Sequence, residues 1–95
     1  MMVTIYDTEY DTVTTTSISL TYKFIESTDL NELFDKLNKC VNLKWLNLSH
    51  NCISDLPPNI FDKLNKLTVL RLSHNEISTL PPNIFDQLTN LSFLG

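Results

Sequence analysis

The residues with the clearest capacity for chemistry are two serine–histidine pairs, Ser49–His50 and Ser73–His74, each set in the tetrapeptide LSHN. A hydrolase needs a serine, a histidine and an orienting acid that converge beside an oxyanion site, and a zinc site needs three or four ligands. The second pair repeats the first at a fixed interval, so stacking places like residues in rows. The sequence therefore predicts no enzyme activity, no metal site and no cofactor, and the histidines are interpreted as polar residues at strand ends.

Composition is that of an ordinary small domain, with 95 residues, 42% apolar and 19% charged, and a single glycine at the last position. The net charge of −4 is uneven. Residues 1–35 hold seven carboxylates and one lysine, whereas residues 36–95 hold six Lys/Arg and four carboxylates. Without a clustered basic face, nucleic-acid binding is not expected.

Cellular location is predicted from the N-terminus and the cysteines. The N-terminal residues lack the basic and apolar regions of a secretory signal, and no stretch approaches the length of a membrane span. Cys40 and Cys52 lack the spacing of a disulfide framework or a zinc site, and are predicted to be free thiols. We therefore expect an intracellular, cytoplasmic protein with no membrane partner.

The two serine–histidine pairs are positioned by a 24-residue sequence that occurs twice, at 43–66 and 67–90. The copies share 16 of their 24 positions, and a third copy begins at 91 and stops at 95. A fixed period in the twenties is typical of stacked repeats, which bury their apolar faces against their neighbours. The chain is accordingly divided into an N-terminal cap, 1–42, and a repeat region, 43–95.

Each copy contains an L-x-L piece, at 46–48 and 70–72, with the period of a short strand whose leucines point inward. An asparagine, Asn51 or Asn75, follows three residues later. Its amide can both donate and accept hydrogen bonds, so stacked copies can satisfy backbone groups at the bend after each strand. The pattern predicts a structural asparagine ladder.

Proline pairs at 57–58 and 81–82 end strand pairing in each copy and turn the chain onto the return side. The segments that follow, NIFDKL and NIFDQL, can form at most a short helical turn. This turn is predicted to lay Phe61 and Phe85 under the strands.

The N-terminal cap is rich in threonine and β-branched residues. Residues 3–6 and 13–24 read as strands, and from Ile18 the inward side is predicted to carry Ile18, Leu20, Tyr22 and Phe24. The two runs are predicted to pair through the polar turn 7–11, although a frayed leader is an equal alternative for residues 1–12.

Residues 29–39 are predicted to form an amphipathic helix. Asp29 can act as N-cap with Glu32 in the capping-box position. The apolar residues recur at i, i+3, i+4 and i+7 and form one stripe: Leu30, Leu33, Phe34 and Leu37. The hexapeptide FDKLNK recurs at 34–39 and 61–66. The helix is therefore interpreted as the tail of a degenerate repeat that covers the N-terminal end of the core.

The repeat region resembles the leucine-rich repeat family in its 24-residue form, LxxLxLxxNxIxxLPxxxFxxLxx, across 43–90 and into 91–95. This resemblance implies an α/β fold, a short right-handed solenoid with a concave parallel sheet, and binding commonly through the concave side. Two features depart from the family pattern. The cysteine-rich caps of extracellular members are missing, and the last repeat stops before its own asparagine.

The short third copy predicts an exposed apolar edge at the C-terminal end. Stacking is required to stabilise each repeat, so two and a fraction repeats are expected to be marginal alone. Three explanations fit this pattern: a fragment of a longer array, a prematurely terminated product, or a homodimer through the C-terminal repeat edge.

Positions that differ between the copies are those where specificity can reside. Trp45, Val69 and Phe93 are predicted to form one outward column, and Asn47 and Arg71 the next. Large apolar groups beside an arginine are typical of an interface hot spot. The predicted partner-binding residues are Lys44, Trp45, Asn47, Thr68, Val69, Arg71 and Phe93. The alternative is that these side chains fill a shallow surface, or that Trp45 packs against the cap.

The function predicted from these observations is a non-enzymatic module that binds a protein partner, of unidentified nature, through the concave strands. One alternative is a terminal fragment of a longer leucine-rich repeat protein with no ligand of its own. Another is a client-selecting subunit of a signalling or ubiquitin-ligase assembly, although no second motif in the chain supports it.

Overall fold

The computed structural model describes residues 1–95 and has a small α/β fold. Its elements in chain order are β1 (Met2–Ile5), β2 (Thr8–Asp11), β3 (Ser17–Ser19), a 3-10 turn (Ser27–Asp29), α1 (Leu30–Leu37), β4 (Trp45–Asn47), β5 (Val69–Arg71) and β6 (Phe93–Leu94). No helix in the chain combines the length and the apolar character needed to cross a membrane.

Four of the strands form a parallel sheet in the order β3, β4, β5, β6. Ile18 lies beside Leu46, and Leu46 lies beside Leu70. These side chains are buried on the inner face of the sheet, while their neighbours along each strand are half-buried or exposed. The alternation follows from the two-residue period of a strand. The register also aligns equivalent residues of adjacent strands with one another.

The chain returns behind the sheet through α1 in the first unit and through turns in the next two. One phenylalanine per unit forms a row. Phe34 meets Phe61 edge to face at 5.4 Å between ring centroids, and Phe61 stacks on Phe85 at 5.7 Å. Phe34 and Phe61 are buried and Phe85 is half-buried, so the row joins the three units into one apolar core.

The N-terminal hairpin pairs differently from the prediction. β1 pairs antiparallel with β2 through a tight turn at Tyr6 and Asp7, so residues 7–11 are mostly strand rather than turn. Val3 and Ile5 are buried, and β1 packs on α1. The predicted pairing of the first run with 13–24 is wrong, because the inner residue of β3, Ile18, pairs beside Leu46 in the parallel sheet instead.

The predicted strand over 18–24 is also corrected. β3 ends at Ser19, and Ile18 and Leu20 are buried. Tyr22 and Phe24, predicted to face inward, are instead 68% and 82% exposed. Both residues adopt left-handed backbone angles, with φ of 57° and 55°, and these angles break the two-residue alternation.

The helix is shorter than predicted, and its cap lies one turn earlier. α1 spans Leu30–Leu37, and its apolar stripe is buried as the periodicity predicts. Asp29 makes no side-chain cap to α1; its carboxylate accepts the backbone N–H of Glu26 at 2.8 Å, which initiates the preceding 3-10 turn. The acid therefore caps the turn that leads into the helix.

The C-terminal end of the core is open. Leu80 and Leu94 are 50% and 46% exposed, and Leu72 and Ile77 are half-buried. The equivalent residues of the first copy are buried because the second copy covers them. A cleft of about 450 Å³ lies at this end, with Leu72, Ile77, Leu80, Phe85 and Leu94 among its lining residues.

Candidate functional site

The outward face of β3 to β6, called the strand face below, carries two of the eight positions that differ between the two copies, 45/69 and 47/71. The strand register aligns Trp45 with Val69 and Val69 with Phe93. Trp45 and Val69 are half-buried and Phe93 is 45% exposed. The neighbour of Trp45 on its other side is Ser17, a small exposed residue. The three large side chains thus form one apolar column that is partly open to solvent.

A cation lies beside this column. Arg71 is aligned with Asn47, and its guanidinium carbon lies over the Phe93 ring, 4.8 Å from the centroid. This cation–π contact holds the arginine against the apolar column. The single ion pair of the molecule joins Lys36 to Glu32, so the guanidinium of Arg71 has no carboxylate within ion-pair distance. The Arg71 side chain also makes no hydrogen bond within the chain. Its N–H donors are therefore available to a ligand.

Two of the predicted partner-binding residues already have hydrogen bonds within the fold. The amide oxygen of Asn47 accepts the backbone N–H of Ser49 at 2.9 Å. The Thr68 hydroxyl donates to the Lys44 carbonyl at 3.0 Å. Lys44 is exposed directly before β4 and has no side-chain partner. Arg71 and the apolar column are thus the freest groups on the strand face, and Lys44 immediately precedes β4.

The serine–histidine pairs lie at the strand ends in rows. Ser73 donates to the hydroxyl of Ser49 at 3.1 Å. The backbone N–H of His50 donates to the Ser73 carbonyl at 3.0 Å, but no hydrogen bond joins a serine hydroxyl to an imidazole. The rings of His50 and His74 stack with centroids 4.3 Å apart and planes 9° from parallel. Because an imidazole lone pair lies in the plane of its ring, the lone pairs of two parallel rings lie in separate, nearly parallel planes and do not point toward a common atom between the rings. The geometry therefore contains neither a hydrogen bond between a serine hydroxyl and an imidazole nor two imidazoles converging on one atom.

Tyr22 extends this stack. The strand pattern predicted that Tyr22 faces inward, but its side chain is exposed. Its ring lies 4.5 Å from that of His50, with planes 13° apart. All three residues have left-handed backbone angles, with φ between 54° and 58°. Tyr22 lies two residues after Leu20, as His50 lies two residues after Leu48. This shared spacing is the sequence signal that Tyr22 occupies the position equivalent to His50. The result is an aromatic row along one margin of the strand face.

The asparagines hold the bends beneath this row. The Asn51 side-chain oxygen accepts the backbone N–H groups of Lys23 and Ile25 at 3.0 and 3.1 Å. Its amide nitrogen donates to the carbonyls of Leu20 and Leu48 at 2.9 and 3.0 Å. Asn75 makes corresponding bonds one repeat later, to the backbone of Leu48, Ile53, Leu72 and Ser73. Each asparagine therefore joins the bend of its own repeat to that of the preceding unit.

The two cysteines lie outside the strands of the parallel sheet. Cys40 is buried and Cys52 is half-buried, and both are free thiols. Burial raises the pKa of the Cys40 thiol, and the carboxylate of Asp11 raises it further. The thiolate, which is the reactive form, is thereby disfavoured at Cys40.

A cleft of about 280 Å³ lies between the hairpin and α1, lined by Thr4, Tyr6, Asp29, Glu32, Leu33 and Lys36. Burial raises the pKa of the Tyr6 hydroxyl, and the charges of Asp29 and Glu32 raise it further. A tyrosine held in its neutral form beside two carboxylates and a lysine lacks the convergent nucleophile and base of a catalytic site.

A family model described as Leucine rich repeat matches residues 16–77 and 41–95, so that the two matches together span 16–95. A comparison with curated proteins finds no match. The matched region begins one residue before β3 and includes all four strands of the parallel sheet.

Proposed function

The chain belongs to the leucine-rich repeat family, and on this premise we propose that it is a protein-recognition module whose strand face binds a protein partner. Leucine-rich repeats are general protein-interaction modules and are typically non-catalytic. In this proposal the stacked units form a short right-handed solenoid, and the strand face is its concave side. Both cysteines are free thiols, a state typical of reducing compartments, so the proposal places the protein inside the cell.

The observation that carries the proposal is the column of Trp45, Val69 and Phe93 with Arg71 beside it. Tryptophan and arginine are the residues most enriched among binding hot spots, and they contribute most when a partner excludes water from them. Here the tryptophan is half-buried, so much of its position is set before binding. The arginine is restrained on Phe93 while its donors stay free. Such pre-organisation lowers the entropic cost of association.

Site-specific photo-crosslinking tests the proposal. A photoreactive amino acid is placed at Val69, on the strand face, and in a matched control at Lys63, an exposed residue of the return segment. Crosslinking is carried out in cells that produce the protein. We expect a discrete crosslinked protein from position 69, lost when Trp45→Ala and Arg71→Ala are added, and none from position 63. Equal products from both positions, or products from 69 that survive the double substitution, would contradict binding through the strand face.

A second candidate is favoured by the open C-terminal end of the core, where Leu80 and Leu94 are about half exposed. In this alternative the chain acts as a piece of a longer leucine-rich repeat assembly, with a further repeat or a second copy covering that end. An autonomous module is expected to be folded and monomeric in sedimentation and circular dichroism experiments. A chain that requires a cover is expected to be partly unfolded or associated. A client-selecting subunit of a larger assembly would use the same strand face.

A further inference from the structure

The charge on the strand face indicates which kind of partner segment it fits. Resting on the proposed function, we infer that the strand face binds an extended acidic segment in which an aromatic or large apolar side chain adjoins a carboxylate. The carboxylate pairs with Arg71, and the apolar side chain packs on the column of Trp45, Val69 and Phe93.

The first observation is the absence of acidic side chains along the strands. The four strands of the parallel sheet, together with the residue on either side of each, contain two charged side chains, Lys44 and Arg71, and both are cations. The nearest carboxylates that follow the strands, Glu26, Asp55 and Glu76, come after the bends that end them. An anionic segment therefore meets attraction on this face, and a cationic one meets repulsion.

The second observation is the state of Arg71. Its guanidinium is held over Phe93 at 4.8 Å and has neither an ion pair nor a hydrogen-bond acceptor in the chain. A planar guanidinium binds a carboxylate through two parallel N–H···O bonds, which fixes the direction of approach. Because Phe93 already restrains the side chain, less conformational entropy is lost when the carboxylate binds. A carboxylate is thus the ligand group that Arg71 fits best.

The third observation is the distribution of aromatic surface around Arg71. The apolar column lies on one side of the Arg71 position, and the row of Tyr22, His50 and His74 lies along the strand ends on the other. A segment with alternating carboxylate and aromatic side chains can therefore stack and pair at neighbouring positions. A nucleic acid fits less well, because the face lacks the cluster of cations that successive phosphates require.

The test uses fluorescence anisotropy with the whole chain and defined labelled probes. The first probe is a short peptide in which two phenylalanines are flanked by glutamates. The second replaces every glutamate with glutamine, the third replaces both phenylalanines with serine, and the fourth is a single-stranded oligothymidylate. We expect the first probe to bind at least about tenfold more tightly than any other, with an affinity that falls as salt rises.

Matched variants assign the effect to the strand face. Arg71→Gln is expected to abolish the preference for glutamate over glutamine, and Arg71→Lys to retain only part of it, since lysine lacks the bidentate geometry. The control, Lys63→Gln, removes the same charge from the return segment and is expected to leave every affinity unchanged. Circular dichroism of each variant verifies that the fold is retained.

Three outcomes would overturn the inference. One is equal affinity for the glutamate and glutamine peptides, another is equal loss in Arg71→Gln and Lys63→Gln, and the third is comparable binding of oligothymidylate. The first result would leave a binding role for the strand face intact if the crosslink at position 69 still forms. Loss of that crosslink would instead reject the proposed function itself. Self-association that depends on the acidic hairpin residues Asp7 and Glu9 would identify a second copy as the occupant and would also reject a separate acidic partner.

Discussion

The two copies at 43–66 and 67–90 have nearly the same sequence but very different burial. Leu56 is 5% exposed and its counterpart Leu80 is 50% exposed. Other pairs are buried in the first copy and half-buried in the second: Leu48 and Leu72, Ile53 and Ile77, Asn51 and Asn75, Phe61 and Phe85. The first copy lies between the N-terminal cap and the second copy. The second copy lies between the first copy and the short segment 91–95, which covers only part of its other side.

This difference shows that burial at these repeat positions depends on the neighbouring unit. The free energy of burying a side chain depends on the area that its neighbours remove from water. In stacked repeats that area is supplied by the adjacent unit. Identical substitutions in the two copies should therefore have unequal effects, and the size of the inequality measures how much stability comes from stacking rather than from the repeat itself.

The largest difference is expected between Phe61→Ala and Phe85→Ala. Phe61 is fully buried between Phe34 and Phe85, so its removal leaves a cavity in the core. We expect it to lower the free energy of unfolding by about 3–5 kcal/mol, and Phe85→Ala by roughly half as much. Urea unfolding, followed by the fluorescence of the single tryptophan Trp45, measures both. Equal losses would mean that the second copy is as well covered as the first.

The next comparison is Leu56→Ala with Leu80→Ala. Truncation of the buried Leu56 is expected to cost about 2–5 kcal/mol, and truncation of the half-exposed Leu80 less than about 1 kcal/mol. The same urea titration at low protein concentration measures the two values. A large loss for Leu80→Ala that grows with protein concentration would show that another molecule covers this end.

A smaller difference is expected between Asn51→Ala and Asn75→Ala. Loss of Asn51 leaves buried backbone groups around Lys23, Ile25 and Leu20 without partners, at about 1–3 kcal/mol. The bends around Asn75 are more exposed, so water can replace many of the hydrogen bonds that the Asn75 side chain makes to the backbone. Amide hydrogen exchange should show faster exchange at Lys23 and Ile25 in the first variant. Unchanged protection there would contradict the role of the ladder.

The smallest effect on stability is expected for Leu80→Gln, within about 0.5 kcal/mol, because half of the side chain already contacts water. Its effect on association is the informative measurement. If the open end associates with a second copy, this substitution should shift the sedimentation of the chain toward monomer, with Lys63→Gln as a neutral control. Identical sedimentation of the two variants would show that the open end is not a contact between copies.

Much of the fold was predictable because the periodic spacing of apolar residues along the chain determines which side chains face the core. The alternation around Leu46 and Leu70, the inward stripe of α1 and the alignment of Trp45 with Val69 all follow from spacing along the chain. The third copy, although only five residues long, joins the sheet through Phe93 as the period requires. The predicted partner-binding residues stay a prediction, since spacing places Trp45, Asn47, Val69, Arg71 and Phe93 on one face without identifying a ligand.

The error over residues 18–24 occurred where long-range contacts override the local pattern. Residues 13–24 have strand propensity throughout, but Asn51 binds the backbone at Lys23 and Ile25 and holds a bend there. Tyr22 and Phe24 consequently take left-handed angles and face solvent. Propensity describes what a segment can form, and the hydrogen-bond partners available in the fold decide where it stops.

The sequence by itself determined the repeat phase, the family, the inward and outward positions of each repeat and the absence of carboxylates along the strands, because each of these depends on residue type and spacing alone. Only the tertiary structure decided that β3 joins the parallel sheet, that Tyr22 stacks on His50, and that Arg71 rests on Phe93 with its donors free. These contacts join residues that are distant in sequence, and their free energy exists only once the units are stacked.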